Sequence, residues 1–200
     1  MNLTDWFLIL GISLANNLDN TGVGIAYGAG RIRLPISINL WISVVTFVLT
    51  ASAAFFGDRA ALFLPPHVAK LLSAIILCTI GIFVMRPGLT KQSADPPSNT
   101  LQHVLEDPIA ADLDGSRHID FKEGTLLGIA LSINNLGGGI SAGLVHLSVF
   151  WTAACSAILS FLVLWLGGLA GRLLSKGRTA TRAPLVAGAL LIAIGLFQFR

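Results

Sequence analysis

Charged residues are scarce in this chain. They make up 12% of its 200 residues, while 54% are hydrophobic; a typical soluble domain carries about 25% charged residues. The mean hydropathy is +0.78. These values exclude an ordinary soluble domain and predict an all-α polytopic membrane protein, with the lipid bilayer as its main partner.

Residues that commonly carry catalysis or bind zinc are also few. Cys78 and Cys155 stand inside apolar runs without CxxC spacing, which favours small buried hydrophobes over a disulfide or metal role. The four histidines are scattered, and no nucleophile–base pair or phosphate-binding loop is present. The sequence therefore does not predict an enzyme. Its basic residues flank apolar runs without interleaved aromatics, so no nucleic-acid partner is predicted either.

Six apolar segments are long enough to cross about 30 Å of hydrocarbon. They cover roughly residues 5–28, 35–57, 66–86, 122–145, 148–171 and 183–199. If the N-terminus is outside, ten of the 13 Lys and Arg residues fall on the inner side. The positive-inside rule then predicts both termini outside and the long loop 87–121 in the cytosol.

Five polar side chains interrupt the first apolar segment near its middle. They are Asn16, Asn17, Asp19, Asn20 and Thr21. A carboxylate at the bilayer centre costs on the order of 3 kcal/mol or more, so Asp19 marks a candidate functional site. The alternative is a structural hydrogen bond that holds the first and fourth helices together.

The same pattern returns 115 residues later. Leu18–Gly28 corresponds to Ile133–Gly143, with Asn134 in the place of Asp19. Asn20 likewise recurs as Asn135. The sequence therefore predicts that the two stretches meet at one depth and form a single ion site. Its candidate ligands are Asp19, Asn20, Asn134, Asn135, Asn16, Asn17 and Thr46.

The duplication extends into the second and fifth segments. There Trp41, Thr46 and Thr50 match Trp151, Ser156 and Ser160 at an offset of 110 residues. We therefore predict repeat 1 over 1–86, an acidic linker over 87–121 and repeat 2 over 122–200. Three spans per repeat would invert the second copy, an arrangement typical of transporters with a site near the membrane midplane. The matched hydroxyls either line that site or bond to their own helix.

Paired glycines are predicted to let the first and fourth helices approach. Gly24 and Gly28 are one turn apart, as are Gly139 and Gly143. The run Gly137–Gly139 leaves two alternatives open: packing alone, or packing together with a local break that frees backbone carbonyls as ligands.

An acidic stretch at the end of the linker matches the spacing of an EF-hand loop. Its ligands for Ca²⁺ or a similar cation would be Asp112, Asp114, Ser116, His118 through its carbonyl, Asp120 and Glu123. Arg117 stands where that loop expects glycine. The alternative is that Asp120 and Glu123 form a capping box for the fourth helix, with the other acids solvated.

These paired motifs and the acidic loop resemble the MntP-type manganese efflux pump family, and most of all its YtaF-like sporulation membrane protein branch, within the LysE-type exporter superfamily. Asn17–Gly22 and Ser132–Gly137 take the place of the family's Asp-containing motif in each repeat. The resemblance implies a six-helix cation exporter of the bacterial inner membrane. Asn134 and Thr46 depart from it, because the family places an Asp and a Glu there.

The prediction is export of a divalent cation, with Mn²⁺ as substrate, through a midplane site between the first and fourth helices. Asp19 would then be the one intramembrane carboxylate of the site. Two alternatives stay open: export of a small organic solute, and a membrane protein without transport whose cytosolic loop responds to a cation. A homodimer also stays open.

Overall fold

The computed structural model describes residues 2–18, 20–84, 101, 104 and 108–173. Three features of the sequence analysis lie outside these residues: Asp19, most of the linker, and the sixth segment, 183–199. The side chain of Asn134 is not described either, although its backbone is helical.

The described residues form six α-helices and one 3₁₀ turn. The helices are α1 (Leu3–Asn17), α2 (Asn20–Ala29), α3 (Ile36–Ala61), α4 (Pro66–Val84), α5 (Phe121–Leu144) and α6 (Val149–Leu173); the 3₁₀ turn is Pro108–Ala111. Among the described residues the only β-type pairing is one isolated bridge, between Arg33 and His118. The prediction of an all-α fold is confirmed.

Two helices, α3 and α6, are each long and apolar enough to cross a membrane. The two halves of α5, Phe121–Ile133 and Asn135–Leu144, would make a third span, and they meet at an angle of 48°. Large apolar side chains cover the outside of this bundle, including Val48, Phe56 and Leu166. Such a surface suits lipid rather than water.

The first predicted segment is wrong in one respect, because it is not a continuous helix. α1 ends at Asn17 and α2 begins at Asn20. The side-chain amide of Asn17 donates to the carbonyl of Ser13, at 2.8 Å, four residues earlier. Side chains that bond to backbone in this way compete with the helical ladder, which gives a physical reason for the interruption.

α3 and α5 lie side by side and run in the same direction. Successive contacts advance along both helices, from Trp41 with Thr125 (2.9 Å), through Thr46 with Ser132 (2.9 Å), to Gly57 against Ile140. α1 and α2 run in the same direction along α6, from Ser13 with Ser156 (3.2 Å) to Gly28 against Gly171. The bundle is thus built on two parallel helix pairs.

The paired glycines sit in these two interfaces and not between the first and fourth helices. A Cβ on Gly28 would collide with the backbone of Gly168 in α6, and one on Gly143 with the backbone of Ala54 in α3. Gly24 and Gly139 face the same two neighbours, α6 and α3. The small residues do allow close helix packing, but the predicted partner helices were wrong.

Candidate functional site

Three buried asparagines form a chain of hydrogen bonds where α1, α2 and α5 meet. The Nδ2 of Asn20 donates to the Oδ1 of Asn17 at 3.3 Å. The Nδ2 of Asn17 donates in turn to the Oδ1 of Asn135, also at 3.3 Å. All three side chains are at most 1% exposed. The structure therefore brings together three of the predicted ligands, from both halves of the chain.

Other polar atoms of this layer have no hydrogen-bond partner among the described residues. Both amide atoms of Asn16 are buried and unpartnered, as are the Nδ2 of Asn135 and the Oγ1 of Thr50. Burying such a group without a partner costs about 1–3 kcal/mol. Unpartnered groups are uncommon in native proteins and call for an explanation, such as a function or an ion.

Gly138 makes room for the Asn16 side chain. A Cβ at position 138 would collide with the Asn16 amide. The glycine run Gly137–Gly139 is helical throughout, so the predicted alternative of a local break at these residues is wrong. Packing explains why, since Gly139 lies against Ala53 and the backbone of Thr50. Close packing offsets the weak helix propensity of glycine.

The first polar motif instead coincides with the end of α1 at Asn17 and the start of α2 at Asn20. In the second motif α5 stays helical, but its two halves change direction by 48° at Asn134. An interrupted helix leaves backbone carbonyls of its first half and N–H groups of its second half without partners in the helix. In transporters such half-helix ends coordinate ions and polar substrates.

A second polar layer consists of hydroxyl groups between α3, α5 and α6. The Oγ1 of Thr46 donates to the carbonyl of Ile42 at 3.1 Å. It also lies 2.9 Å from the Oγ of Ser132 and 3.4 Å from that of Ser160. The sequence analysis missed Ser132. Its spacing could have revealed it, because it lies three residues before Asn135 and so on the same helix face.

The acidic loop brings three of its carboxylates together. Oxygen atoms of Asp112, Asp114 and Glu123 lie within 4.8 Å of one another. Asp112 accepts from the N–H of Arg117 at 2.9 Å, and Asp114 from that of Ser116 at 2.9 Å. The hydrogen bonds from Ser116 lower the pKa of Asp114, so its carboxylate is charged at neutral pH.

The other predicted loop ligands have different partners. Ser116 Oγ donates to the carbonyl of His118 at 3.0 Å. Asp120 and Glu123 form the capping box of α5, with N–H to carboxylate distances of 3.0 and 2.8 Å. Arg117, at the position that expects glycine, adopts the left-handed conformation with φ 59°. The capping box of Asp120 and Glu123 is confirmed, whereas cation binding by the loop stays a prediction.

The loop is attached to the helix bundle through backbone bonds and one buried side chain. The N–H of Arg33 donates to the carbonyl of Arg117 at 2.8 Å, and the N–H of Ile119 to the carbonyl of Arg33 at 3.1 Å. Ile119 is fully buried in a cluster that includes Tyr27 of α2 and Leu127 of α5. The loop is therefore packed against α2 and α5, two of the three helices that form the asparagine layer.

Comparison with known proteins identifies relatives along the whole chain. The sequence profile of a family described as "Putative manganese efflux pump" matches residues 101–199. The chain is 31% identical to "Probable sporulation protein YtaF" of Bacillus subtilis, over 95% of this chain and 97% of that protein. It is 23% identical to the "Putative manganese efflux pump MntP" of Actinobacillus succinogenes, over 96% and 92% of the two chains. No solved structure matches.

Proposed function

We propose that this chain, which belongs to the MntP family of manganese efflux pumps, exports a divalent metal cation, with Mn²⁺ as the substrate. The observation that carries the proposal is the buried asparagine layer, which lies where α1 ends and α5 bends. Its amides come from both halves of the chain, and several of its polar atoms have no hydrogen-bond partner among the described residues. Such a layer is costly unless something polar binds there.

The ligands would come from the predicted set. Asn16 has an amide oxygen with no competing donor among the described residues. The Oδ1 of Asn135 accepts one hydrogen bond, from Asn17, and keeps a second lone pair for an ion. Carbonyls freed at the end of α1 would add further oxygens. Asp19, between Leu18 and Asn20 in the sequence, would supply the negative charge. Hard oxygen ligands of this kind suit Mn²⁺.

An inverted repeat would explain how two distant stretches converge. The Cβ of each paired glycine would meet a carbonyl oxygen and an amide nitrogen four residues apart on the facing helix. These atoms belong to Gly168 and Arg172 for Gly28, and to Ala54 and Asp58 for Gly143. Gly28 and Gly143 are 115 residues apart, which is the offset that the sequence predicts for the first and fourth segments. Their contact residues, Ala54 with Gly168 and Asp58 with Arg172, are 114 residues apart, which gives the offset for the second and fifth segments.

The directions of the helices also support the inverted arrangement. α5 runs antiparallel to α1 and α2, because Asn17 contacts Asn135, Asn16 contacts the later Gly138, and Tyr27 clusters with the earlier Leu127. Together with the parallel pairs α3–α5 and α2–α6, this is the pattern of alternating spans. Such symmetry would put the end of α1 and the bend of α5 across one site, which would open to either side in turn.

We further propose that the protein lies in the bacterial inner membrane with its acidic loop in the cytosol. The bonds between Arg33 and the loop put the α2–α3 connection and the acidic loop at one end of the bundle. These segments carry Arg31, Arg33, Arg117 and Lys122. An excess of basic residues marks the cytosolic side.

The direct test of export is Mn²⁺ uptake into inverted membrane vesicles that contain the full chain. We expect accumulation of Mn²⁺ above that of vesicles without the protein. Equal uptake in both preparations, over a range of protein amounts, would refute export of Mn²⁺. Parallel assays with Mg²⁺, Ca²⁺ and Zn²⁺ would identify a different cation.

The second candidate function is a cation-responsive loop, favoured by the clustered carboxylates of Asp112, Asp114 and Glu123. Their charges repel one another, and a bound Ca²⁺ or similar cation would relieve that repulsion. Binding would be relayed to the helices through Arg33 and Ile119. This candidate stands independently of transport.

Asp114→Asn tests the loop with little disturbance of the helix cap. Asn keeps an oxygen for the N–H of Ser116 but removes one of the clustered charges. We expect Ca²⁺ affinity, measured by isothermal titration of the full chain, to fall by about tenfold or more, because Ca²⁺ affinity depends on the number of charged ligands. Asp58→Asn, a carboxylate outside the loop, is the matched control. No Ca²⁺ binding by the unmodified chain would eliminate the loop site.

A further inference from the structure

A cavity of about 240 Å³ opens where the end of α2, the start of α3 and the end of α6 meet. Three arginines line it: Arg31, Arg33 and Arg172. Its other lining residues are uncharged, among them Gly28 and Pro35. The pocket therefore concentrates positive charge at one end of the bundle.

No carboxylate neutralises these arginines within the part of the chain that the structure describes. Among the described residues the ion pair that does form joins His146 and Asp58, at 2.8 Å, away from this pocket. The Nε of Arg172 donates to the carbonyl of Gly168 at 3.3 Å, which holds this guanidinium close to its own helix. An anion from outside would be attracted to such a pocket.

The His146–Asp58 pair occupies the corresponding positions at the α3–α5 interface. Arg31 follows α2 with φ 57°, and His146 follows α5 with φ 56°. Arg172 contributes the backbone nitrogen that packs against Gly28, and Asp58 the one that packs against Gly143. At the α3–α5 interface these two positions are His146 and Asp58, which form an ion pair. At the α2–α6 interface the same two positions are Arg31 and Arg172, which are both positively charged. Arg31 and Arg172 are exposed, and the described residues provide no carboxylate for them, so an anion from outside can bind to both.

An apolar groove continues from the pocket between α2 and α6. It shares Gly28 and Arg172 with the basic pocket and extends to Gly24, Leu164 and Trp165. Trp165 is 46% exposed, as suits a side chain that faces lipid. The groove is small, about 30 Å³ against about 240 Å³ for the pocket. A ligand that covers both parts would place an anionic head in the pocket and a short stretch of apolar chain against the groove.

We propose that this pocket binds the phosphate of an anionic phospholipid, with an acyl chain lying in the adjoining groove. Basic pockets between membrane helices on the cytosolic side are known to hold anionic lipid headgroups. The same end of the bundle carries the acidic loop, which is bonded to Arg33. The bound lipid would thus neutralise the arginines and fix the α2–α3 connection beside the loop. This proposal does not depend on the transported ion.

The test compares lipid selectivity of the full chain in phosphatidylcholine vesicles that contain a small amount of spin-labelled phosphatidylglycerol. The fraction of label immobilised by protein is compared with that of spin-labelled phosphatidylcholine. We expect the unmodified chain to select phosphatidylglycerol. In the Arg31→Gln/Arg172→Gln variant the selectivity should fall by roughly fivefold for each arginine removed.

Arg59→Gln is the matched control, because Arg59 is an exposed arginine that does not line the pocket. It should leave the selectivity unchanged. Arg172→Lys keeps the charge and should retain most of it, which separates loss of the site from loss of folding. Equal loss in Arg59→Gln would indicate general surface charge and overturn the proposal. Unchanged selectivity in the double variant would also overturn it, as would displacement of the lipid by millimolar inorganic phosphate, which would indicate a free-anion site.

Discussion

Gly171→Ala should destabilise the protein strongly, whereas Gly168→Ala, one turn earlier on the same helix, should not. A Cβ on Gly171 would collide with the backbone carbonyl of Ile25, and its other nearest atoms lie at 2.9 Å in the same residue. Because backbone cannot rotate away as a side chain can, α2 and α6 would have to separate. A Cβ on Gly168 would have its nearest neighbour, the Gly24 oxygen, at 3.8 Å, an ordinary contact.

The two variants share the gain in helix propensity from Gly to Ala, about 1 kcal/mol. Overpacking at Gly171 should cost about 1–3 kcal/mol, so Gly171→Ala should be less stable than Gly168→Ala by about that amount. We therefore expect a clearly lower melting temperature for Gly171→Ala than for Gly168→Ala, measured in detergent by tryptophan fluorescence. Equal melting temperatures would show that the α2–α6 interface is looser than these contacts imply. Gly57→Ala should behave like Gly171→Ala, because its Cβ would collide with the carbonyl of Ile140.

The sequence predicted four of the described helices closely, but not which helices pack against each other. Four predicted segments coincide with α3 to α6, because lipid-facing helices must be apolar over a length set by the bilayer. The small-xxx-small pairs correctly marked close packing, but Gly28 and Gly143 face α6 and α3 and not each other. Small residues determine how closely a helix can approach a neighbour. They do not determine which helix that neighbour is, because any helix with small residues of its own can pack there.

The offset of the second and fifth segments shows a similar limit. The sequence match relied on two tryptophans, Trp41 and Trp151, and gave 110 residues. Under the inverted repeat that we propose, the glycine contacts support an offset of 114, one helical turn more, at which Thr46 would correspond to Ser160, its neighbour at 3.4 Å. Trp151 is 43% exposed, and a lipid-facing position tolerates many apolar residues. Buried small and hydroxyl residues are the better guide to the register.

The helix interruption was predicted for the wrong residues. Glycine weakens an isolated helix, which pointed to Gly137–Gly139, but these residues are held by tight packing against α3 and Asn16. Asparagine amides compete with backbone bonds and also need partners of their own. α1 therefore ends at Asn17, and α5 bends at Asn134 without a break. Polar side chains, more than glycines, disrupt the helical ladder in this apolar setting.

Asp19→Asn should abolish Mn²⁺ export. Asp19 is the only carboxylate in the first repeat motif, and the second motif has Asn134 at the equivalent position. Without Asp19 the divalent charge would be balanced by amide and carbonyl dipoles alone. Removing one partner of a buried charge pair costs about 3–5 kcal/mol, which corresponds to a loss of affinity of a hundredfold or more. Uptake into inverted vesicles should fall to the level of vesicles without the protein.

Two further variants make the result specific to the proposed site. Asp58→Asn removes a carboxylate that pairs with the exposed His146, and it should leave export largely intact. Asn134→Asp adds the second acid that the family motif carries, and it should tighten Mn²⁺ binding while slowing release, because more charge then holds the ion. If Asp19→Asn folds normally and still exports Mn²⁺, the ion does not depend on this carboxylate. The asparagine layer would then be a structural contact between the two halves of the chain, even if the protein is a transporter.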